Sequence, residues 1–188
     1  MSYPNNIRED IEEILYHETT ILKRLDELAS SITEEYLNKD LTVISILNGS
    51  FIFMADLLRR INLPLQLDTL SVSSYHGMHS SGEINFRQHQ IADVNGRHVL
   101  LLDDILDSGL TLKTVKEKIS SAGALSVKCG VLFSKKVPRK INIEADYTGF
   151  EIGNKFIVGY GLDYNEQYRN LPFVGVLKPE SIKKWQKK

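Results

Sequence analysis

The stretch Val99-Leu-Leu-Leu-Asp-Asp-Ile-Leu-Asp-Ser-Gly-Leu-Thr111 decides how the chain is read. From His98 to Leu102 the residues are nearly all apolar, as expected of a strand buried on both faces of a parallel sheet. Asp103 to Gly109 ends the strand. Leu112, Val115 and Ile119 then predict a helix from Thr111 to about Ala122, with Gly123 placed for a C-terminal cap. Three carboxylates, Asp103, Asp104 and Asp107, share five residues at the strand end. A helix cap needs only one such residue, so the cluster points to ligand chemistry. Gly109 lets backbone N–H groups approach a phosphate, the hydroxyls of Ser108 and Thr111 add donors, and the helix N-terminus adds partial positive charge. Two adjacent carboxylates can accept hydrogen bonds from sugar hydroxyls or hold hydrated Mg²⁺. Together these features suit a sugar phosphate. A receiver domain phosphorylated on aspartate also groups acids at strand ends, but on separate strands.

Working outward, Leu41–Leu47 is short and β-branched and stops at Asn48-Gly49-Ser50, a turn signal, before Phe51–Ile61 takes a helical pattern. Leu65–Tyr75 follows Pro64 as an extended run and leads into Ser73–Glu83, polar and glycine-containing, which reads as a mobile lid-type loop. Leu125–Phe133 is another strand. Strands and helices therefore alternate from 41 to 133, predicting an α/β sheet with ligands at the carboxyl ends of its strands. Upstream, Ile21, Leu25, Leu28 and Ile32 make Glu18–Tyr36 an amphipathic helix, while Ile11–Tyr16 reads as a short strand or a helical lead-in. Beyond Pro138, Tyr147–Ile152, Phe156–Tyr160 and Phe173–Leu177 read as short strands of a smaller lobe shared with the N-terminal residues. The lysine-rich end, Lys183–Lys188, reads as a solvated tail.

At 188 residues the chain suits one domain. Its 23 basic and 24 acidic residues leave a net charge of −1, so no global field steers it to nucleic acid or an anionic membrane, and a bound phosphate must be held locally. No apolar run approaches the roughly 18 residues of a membrane span, and the first ten residues are too polar for a signal peptide. The expectation is a soluble cytoplasmic protein. A single cysteine, Cys129, in an apolar stretch excludes an internal disulfide or a multi-thiolate zinc site and reads as core. His76 and His79 lie three apart, but without a third ligand they do not make a metal site.

The segment Val99–Thr111 resembles the PRPP-binding motif of type I phosphoribosyltransferases, and further matches point to the hypoxanthine-guanine branch. Leu47-Asn48-Gly49-Ser50 resembles the first pyrophosphate loop of that family, and Ser73-Ser74-Tyr75 its flexible catalytic loop. Phe133-Ser-Lys-Lys-Val-Pro-Arg139 is similar to the segment whose lysine reads the purine, and Phe150–Asn165 followed by Tyr168-Arg-Asn-Leu-Pro172 looks like the C-terminal signature. The resemblance implies a central, mostly parallel sheet flanked by helices. It also implies a core of about 37–135 and a hood from about 1–16 and 138–188.

The implied reaction is Mg²⁺-dependent transfer of a phosphoribosyl group from PRPP to N9 of a 6-oxopurine. By resemblance Asp107, Ser108, Gly109, Leu110 and Thr111 hold the 5′-phosphate, and Asp103 and Asp104 face the ribose hydroxyls or their magnesium. Asp107 also approaches N7 of the base, with Ser74 and Tyr75 closing over the site. Lys135 donates to the 6-oxo group, Phe156 stacks on the purine and Ile157 meets its edge through the backbone. Asn48, Gly49 and Arg169 hold pyrophosphate, and Asp163, near the base, anchors a second magnesium ion. Two departures stand out: Asp103 replaces the glutamate common in the acid pair, and Asn48 replaces a frequent lysine or arginine. A xanthine-preferring enzyme is one rival reading. A regulatory RNA-binding or PRPP-sensing protein on the same fold is another; it predicts a basic face, whereas this chain is charge-balanced and carries the purine-type Lys135 and Phe156 signatures. A homodimer or homotetramer is expected.

Overall fold

The structure, a computed structural model, describes residues 7–74, 84–86, 92–139 and 141–186. After a 3-10 turn at Ile7–Asp10 come β1 (Ile11–Tyr16), α1 (Glu18–Glu35), β2 (Leu41–Leu47), α2 (Phe51–Leu58), β3 (Leu65–Ser74) and β4 (Ile84–Phe86). Then follow β5 (His98–Leu106), α3 (Leu110–Ser121), β6 (Ser126–Lys135), β7 (Tyr147–Ile152), β8 (Ile157–Val158), β9 (Val174–Leu177) and α4 (Pro179–Gln186). Strands β3, β2, β5, β6 and β7 lie side by side and parallel, with β4 antiparallel on the β3 edge.

The apolar run in β5 is explained by burial on both faces. Leu100 and Leu102 pack with Ile21, Leu25 and Ile32 of α1 and Phe53 and Leu57 of α2. Val99 and Leu101 pack with Leu112, Val115 and Ile119 of α3 on the opposite side. Alternating side chains thus tie one strand to both helical layers, and all four residues have no exposed surface. Cys129 sits in the α3 layer without exposed surface, and burial pushes its thiol up to about 11.

A second, three-stranded antiparallel sheet, β1-β9-β8, joins the N- and C-terminal parts of the chain. Buried Asp10 fastens it: its carboxylate accepts from the Tyr168 hydroxyl and from Ser181 Oγ, each at 2.9 Å, while Lys178 N–H donates to its carbonyl.

Several elements differ from the sequence expectations. Tyr147–Ile152 is not part of the smaller lobe; as β7 it pairs with β6 and widens the main sheet, Phe150 stacking on Phe133 at 5.7 Å. Ile11–Tyr16, left open between strand and helix, is a strand because β9 offers it a ladder. Strand β5 continues through the acids to Leu106, since β6 supplies partners as far as Ser134. Helix α2 stops at Leu58, where a tight turn brings Ile61 N–H to the Leu58 carbonyl. Strand β8 is cut to two residues because Gly159, Tyr160 and Gly161 all take positive φ. Of the lysine-rich end, residues 183–186 belong to α4, which is anchored through Ser181 and leaves Lys183 exposed, while Lys187 and Lys188 lie outside the described residues. The lid-type loop with His76 and His79 lies outside the described residues.

At the far ends of β6 and β7 from the acid cluster, Glu35 of α1 accepts from the Lys128 ammonium and the Tyr147 hydroxyl. These bonds hold its carboxyl below the usual value of 4.5, the Lys128 hydrogen bond contributing most. A depressed carboxyl stabilises the fold above its unfolded value, and this contribution is lost as pH falls through the folded value. Glu35→Gln is expected to cost about 1 kcal/mol at neutral pH, a modest figure because solvent screens the half-exposed pair. Melting temperatures of both proteins from neutral to acid pH check this: the gap between them should close below about pH 4.5.

Candidate active site

The carboxyl ends of β2 and β5 form one wall of an open cleft of about 450 Å³, lined by Gly49, Val72 and the run Asp103–Leu112. Two parallel strands that end together present the loops that follow them on one edge, as the alternating pattern requires. Within this cleft Asp103 is buried, and its Oδ1 accepts from the Asp104 N–H at 3.0 Å; Asp104 Oδ1 accepts from the Ile105 N–H at 2.9 Å. Burial, reinforced by the neighbouring charge of Asp104, holds the Asp103 carboxyl well above the ordinary carboxylate range. Asp104 is raised as well, chiefly by burial, with the charge of Arg169 among the opposing effects. Such a pair is poised to take a cation or hydroxyl donors.

Next along the chain, Gly109 has φ +82° and precedes the first residue of α3; a Cβ there would lie 2.5 Å from Ile143 Cγ2. No side chain caps this helix, and Ser108 Oγ receives only a long 3.4 Å contact from the Leu110 N–H. The turn Asp107–Thr111 therefore points backbone donors into the cleft with little competition from its own side chains.

Register brings the next pair together. Leu106 of β5 lies opposite Ser134 of β6, so the residues that follow, Asp107 and Lys135, meet as an ion pair at 2.6 Å. Lys135 is 13% exposed and Asp107 55%, so the amine is sunk beside a carboxylate open to the cleft.

The loop after β2 closes from the other side. Leu47–Asn48 is a cis peptide, and the Asn48 carbonyl accepts from the Phe51 N–H. Gly49 packs so closely that a Cβ would stand 1.8 Å from Asp104 Oδ2, and a Cβ on Gly161 would stand 2.0 Å from the Gly49 carbonyl oxygen. The Gly161 carbonyl in turn accepts from Arg169 Nη1 at 2.8 Å. Arg169 Nη2 meets Asp163 at 2.9 Å and Glu166 at 3.1 Å, while its buried Nε has no partner.

Phe156 and Ile157 belong to the smaller sheet. Phe156 is 51% exposed, its ring edge-on to Tyr164 at 5.5 Å, whereas Ile157 is buried in the core cluster with Phe133 and Ile152. The structure thus joins Asn48, Gly49, Asp103, Asp104, Asp163 and Arg169 through direct or shared contacts, and Asp107 with Lys135; Phe156 and Ile157 reach neither group by a hydrogen bond. Ser74 ends β3 opposite Ile84, and Tyr75 lies outside the described residues. Sequence reasoning assigns no role to Gly161, Glu166 or Arg139. Gly161 carried a signal in its flanking glycine and Tyr-Gly dipeptide, but Glu166 and Arg139 are ordinary surface charges until the fold is known.

Because Gly49 touches Asp104, Gly49→Ala is expected to displace either the loop or the carboxylate and to lower kcat/KM for PRPP by at least about 10², the scale of a 1 Å misplacement in a reacting site. Steady-state kinetics on the variant, with circular dichroism to confirm folding, check this.

Comparison with known proteins agrees with this geometry. Residues 12–165 match the phosphoribosyl transferase domain family. The hypoxanthine-guanine phosphoribosyltransferase of Streptococcus pneumoniae is 45% identical over 93% of this chain and 97% of its own length. A crystal structure of the hypoxanthine phosphoribosyltransferase of Staphylococcus aureus superposes with a TM-score of 0.89 at 41% identity, covering 95% of this chain and 98% of that one. The Trypanosoma cruzi hypoxanthine phosphoribosyl transferase gives 0.89 at 34% identity, with 100% of both chains covered. With identity of this order over nearly the whole chain, and the acid pair, glycine turn and lysine in place, the chain belongs to the hypoxanthine-guanine phosphoribosyltransferase family.

Proposed function

We propose that the protein transfers the 5-phosphoribosyl group of PRPP to N9 of hypoxanthine or guanine, forming IMP or GMP and releasing pyrophosphate. The observation that carries this reading is the run Asp103–Thr111, where an acid pair with Asp103 buried and an uncapped helix turn stand beside the Asp107–Lys135 pair.

In this reading the turn Asp107–Thr111 holds the 5′-phosphate, and Asp103 and Asp104 hold the ribose hydroxyls. Lys135 leaves Asp107 to donate to the 6-oxo group. Adenine presents a donor at that position, and a buried ammonium facing a donor stays unpaired, so adenine is rejected. Phe156, with its ring half exposed, stacks on the base, and the Ile157 backbone meets its edge. The Asp107 carboxylate accepts the N7 proton as the N9 lone pair forms the new bond to C1′ and the bond from C1′ to pyrophosphate oxygen breaks. Arg169, whose buried Nε has no partner in the protein, donates to the pyrophosphate oxygens together with the Asn48-Gly49 backbone. Ser74 and Tyr75 close the site against water, which would otherwise intercept a sugar with oxocarbenium character.

The donor set fits magnesium held largely by substrate. Among the described residues no cluster of three or more metal-ligating side chains occurs, and magnesium characteristically takes one or two carboxylates plus phosphate oxygens. Asp103 and Asp104, with Asp163 beside Arg169, would supply those carboxylates. When bound, the ion neutralises charge on the departing pyrophosphate.

We also propose a homodimer or homotetramer working in the cytoplasm. Phe51 of α2 and Leu67 of β3 are 58% and 51% exposed, which fits burial against a second copy. In the Trypanosoma cruzi relative the C-terminal region has a role in the oligomeric state. The single reduced cysteine fits the cytoplasm, and no described helix is long and apolar enough to cross a membrane.

The test is a steady-state assay with PRPP and each of hypoxanthine, guanine, xanthine and adenine, with and without magnesium. Magnesium-dependent turnover of hypoxanthine or guanine, with adenine inert, is expected; preference for xanthine or PRPP binding without turnover would overturn it. Asp107→Asn, which cannot take the N7 proton, is expected to lower kcat by about 10- to 10³-fold. Light scattering on a size-exclusion column should return a multiple of the 21.4 kDa chain.

A further inference from the structure

Where β5 and β6 end, their backbone ladder ends too: the last register pair is Leu106 with Ser134. Past this point β5 and β6 offer each other no further register pair, although Lys135 still pairs with Ile152 of β7, and the side chains of Asp107 and Lys135 meet as the ion pair. Arg139 fills the gap. Its Nε donates to the Asp107 carbonyl at 3.0 Å, and its Nη2 donates to the Lys135 carbonyl at 2.6 Å and to Ser134 Oγ at 2.9 Å. A longer 3.4 Å contact reaches the Leu106 carbonyl.

The guanidinium is therefore a planar staple across two strand ends, bonded to the main chain of both residues whose side chains pair at 2.6 Å. Its donors sit in a fixed fork, so the distance between the two carbonyls it grips is fixed as well. A lysine here would offer one flexible point of attachment. N7 and O6 of a 6-oxopurine lie side by side on one edge of the ring, and reading both requires two groups held at matching separation.

We infer that Arg139 is a positioning residue that sets the spacing of the Asp107 carboxylate and the Lys135 ammonium, and through it the selectivity for a 6-oxopurine. This inference rests on the proposed reading of Asp107 and Lys135 as the groups facing N7 and O6. Arg139 itself touches neither substrate. Its influence passes through the main chain of the two residues that do, so it acts on the base far more than on PRPP, whose phosphate turn is also held by the packing of Gly109 against Ile143.

The test compares Arg139→Met, Arg139→Lys, Ser134→Ala and Lys135→Ala. For each, KM for hypoxanthine, KM for PRPP, kcat, melting temperature and the preference for hypoxanthine over unsubstituted purine are measured. Arg139→Met is expected to raise KM for hypoxanthine by about 10-fold and shrink the preference for the 6-oxo base by a similar factor, with KM for PRPP within about threefold. Arg139→Lys keeps the charge but not the fork and should stay close to Arg139→Met. Ser134→Ala removes one anchor and should shift the same two quantities by about two- to threefold; it decides the matter if the arginine variants do not fold.

Unchanged KM and preference in the Arg139 variants, or an equal loss toward both substrates, would overturn the positioning role. If Lys135→Ala shifts the preference while Arg139→Met does not, that role alone falls. If Lys135→Ala leaves the preference untouched, the reading of the base-facing pair fails, and the inference falls with it.

Discussion

Two neighbouring carboxylates, Asp103 buried and Asp104 half-buried, stand at the end of a central strand, and the site is built around them. Asp103 and Asp104 have as hydrogen-bond partners mainly backbone N–H groups of the next residue, and burial raises both carboxyls. A carboxyl raised in the folded state costs stability at neutral pH, because the unfolded chain ionises it freely. The protein tolerates this because β5 is braced by β2 and β6 and by apolar layers on both faces. That bracing also explains why Gly49 must lack a side chain: its backbone sits where a Cβ would overlap the Asp104 carboxylate. Loop, acid pair and strand are packed against one another, and in the proposed reading a ligand that brings hydroxyls or positive charge offsets the cost of the raised carboxyls.

The cationic side chains around this unit are balanced before any substrate arrives. Lys135 is paired with Asp107, and Arg169 with Asp163 and Glu166. With a net charge of −1 the chain exerts no long-range pull on a polyanion, so in the proposed reading capture depends on the backbone donors at the start of α3 and on the exchange of these internal partners for substrate. Exchange costs less than fresh desolvation: each cation is already partly dehydrated, and the acid it leaves is partly exposed and can be rehydrated. The same swap discriminates between ligands, because one that cannot replace the lost carboxylate leaves a charge unpaired.

How far this was legible in the sequence depends on whether a residue's partner lies nearby along the chain. The apolar run of β5, the acids, the glycine turn and the period of α3 are local patterns, and each appears in the fold within a few residues of where it was read. The Asp107–Lys135 pair is not local, yet the resemblance gave both residues a role, and strand register brings them into contact. Arg139 had no such signal. Its four acceptors lie on the ends of β5 and β6 and on Asp107, the residue after β5, and nothing in Lys-Val-Pro-Arg says that the side chain folds back on them. The misplacement of Tyr147–Ile152 has the same cause: a strand of mixed burial fits a small lobe or a sheet edge equally well until β6 is known to have an open side.

The two ends of the sheet divide the labour accordingly. At the N-terminal ends of β6 and β7, Glu35 bonds Lys128 and Tyr147 into a closed set with both partners satisfied, and its carboxyl is lowered. At the opposite end the acids are raised, Arg169 keeps an unpartnered Nε, and α3 begins without a side-chain cap. The contrast is one of degree, because the buried Tyr36 hydroxyl beside Glu35 also lacks a hydrogen-bond partner. An unsatisfied buried group costs roughly 1–3 kcal/mol, so a ligand that partners Arg169 Nε offsets that cost. A phosphorylated sugar carries the hydroxyls and anionic oxygens that the unsatisfied end lacks. In the proposed reading, the binding site is the place where substrate supplies hydrogen bonds that the chain leaves unmade.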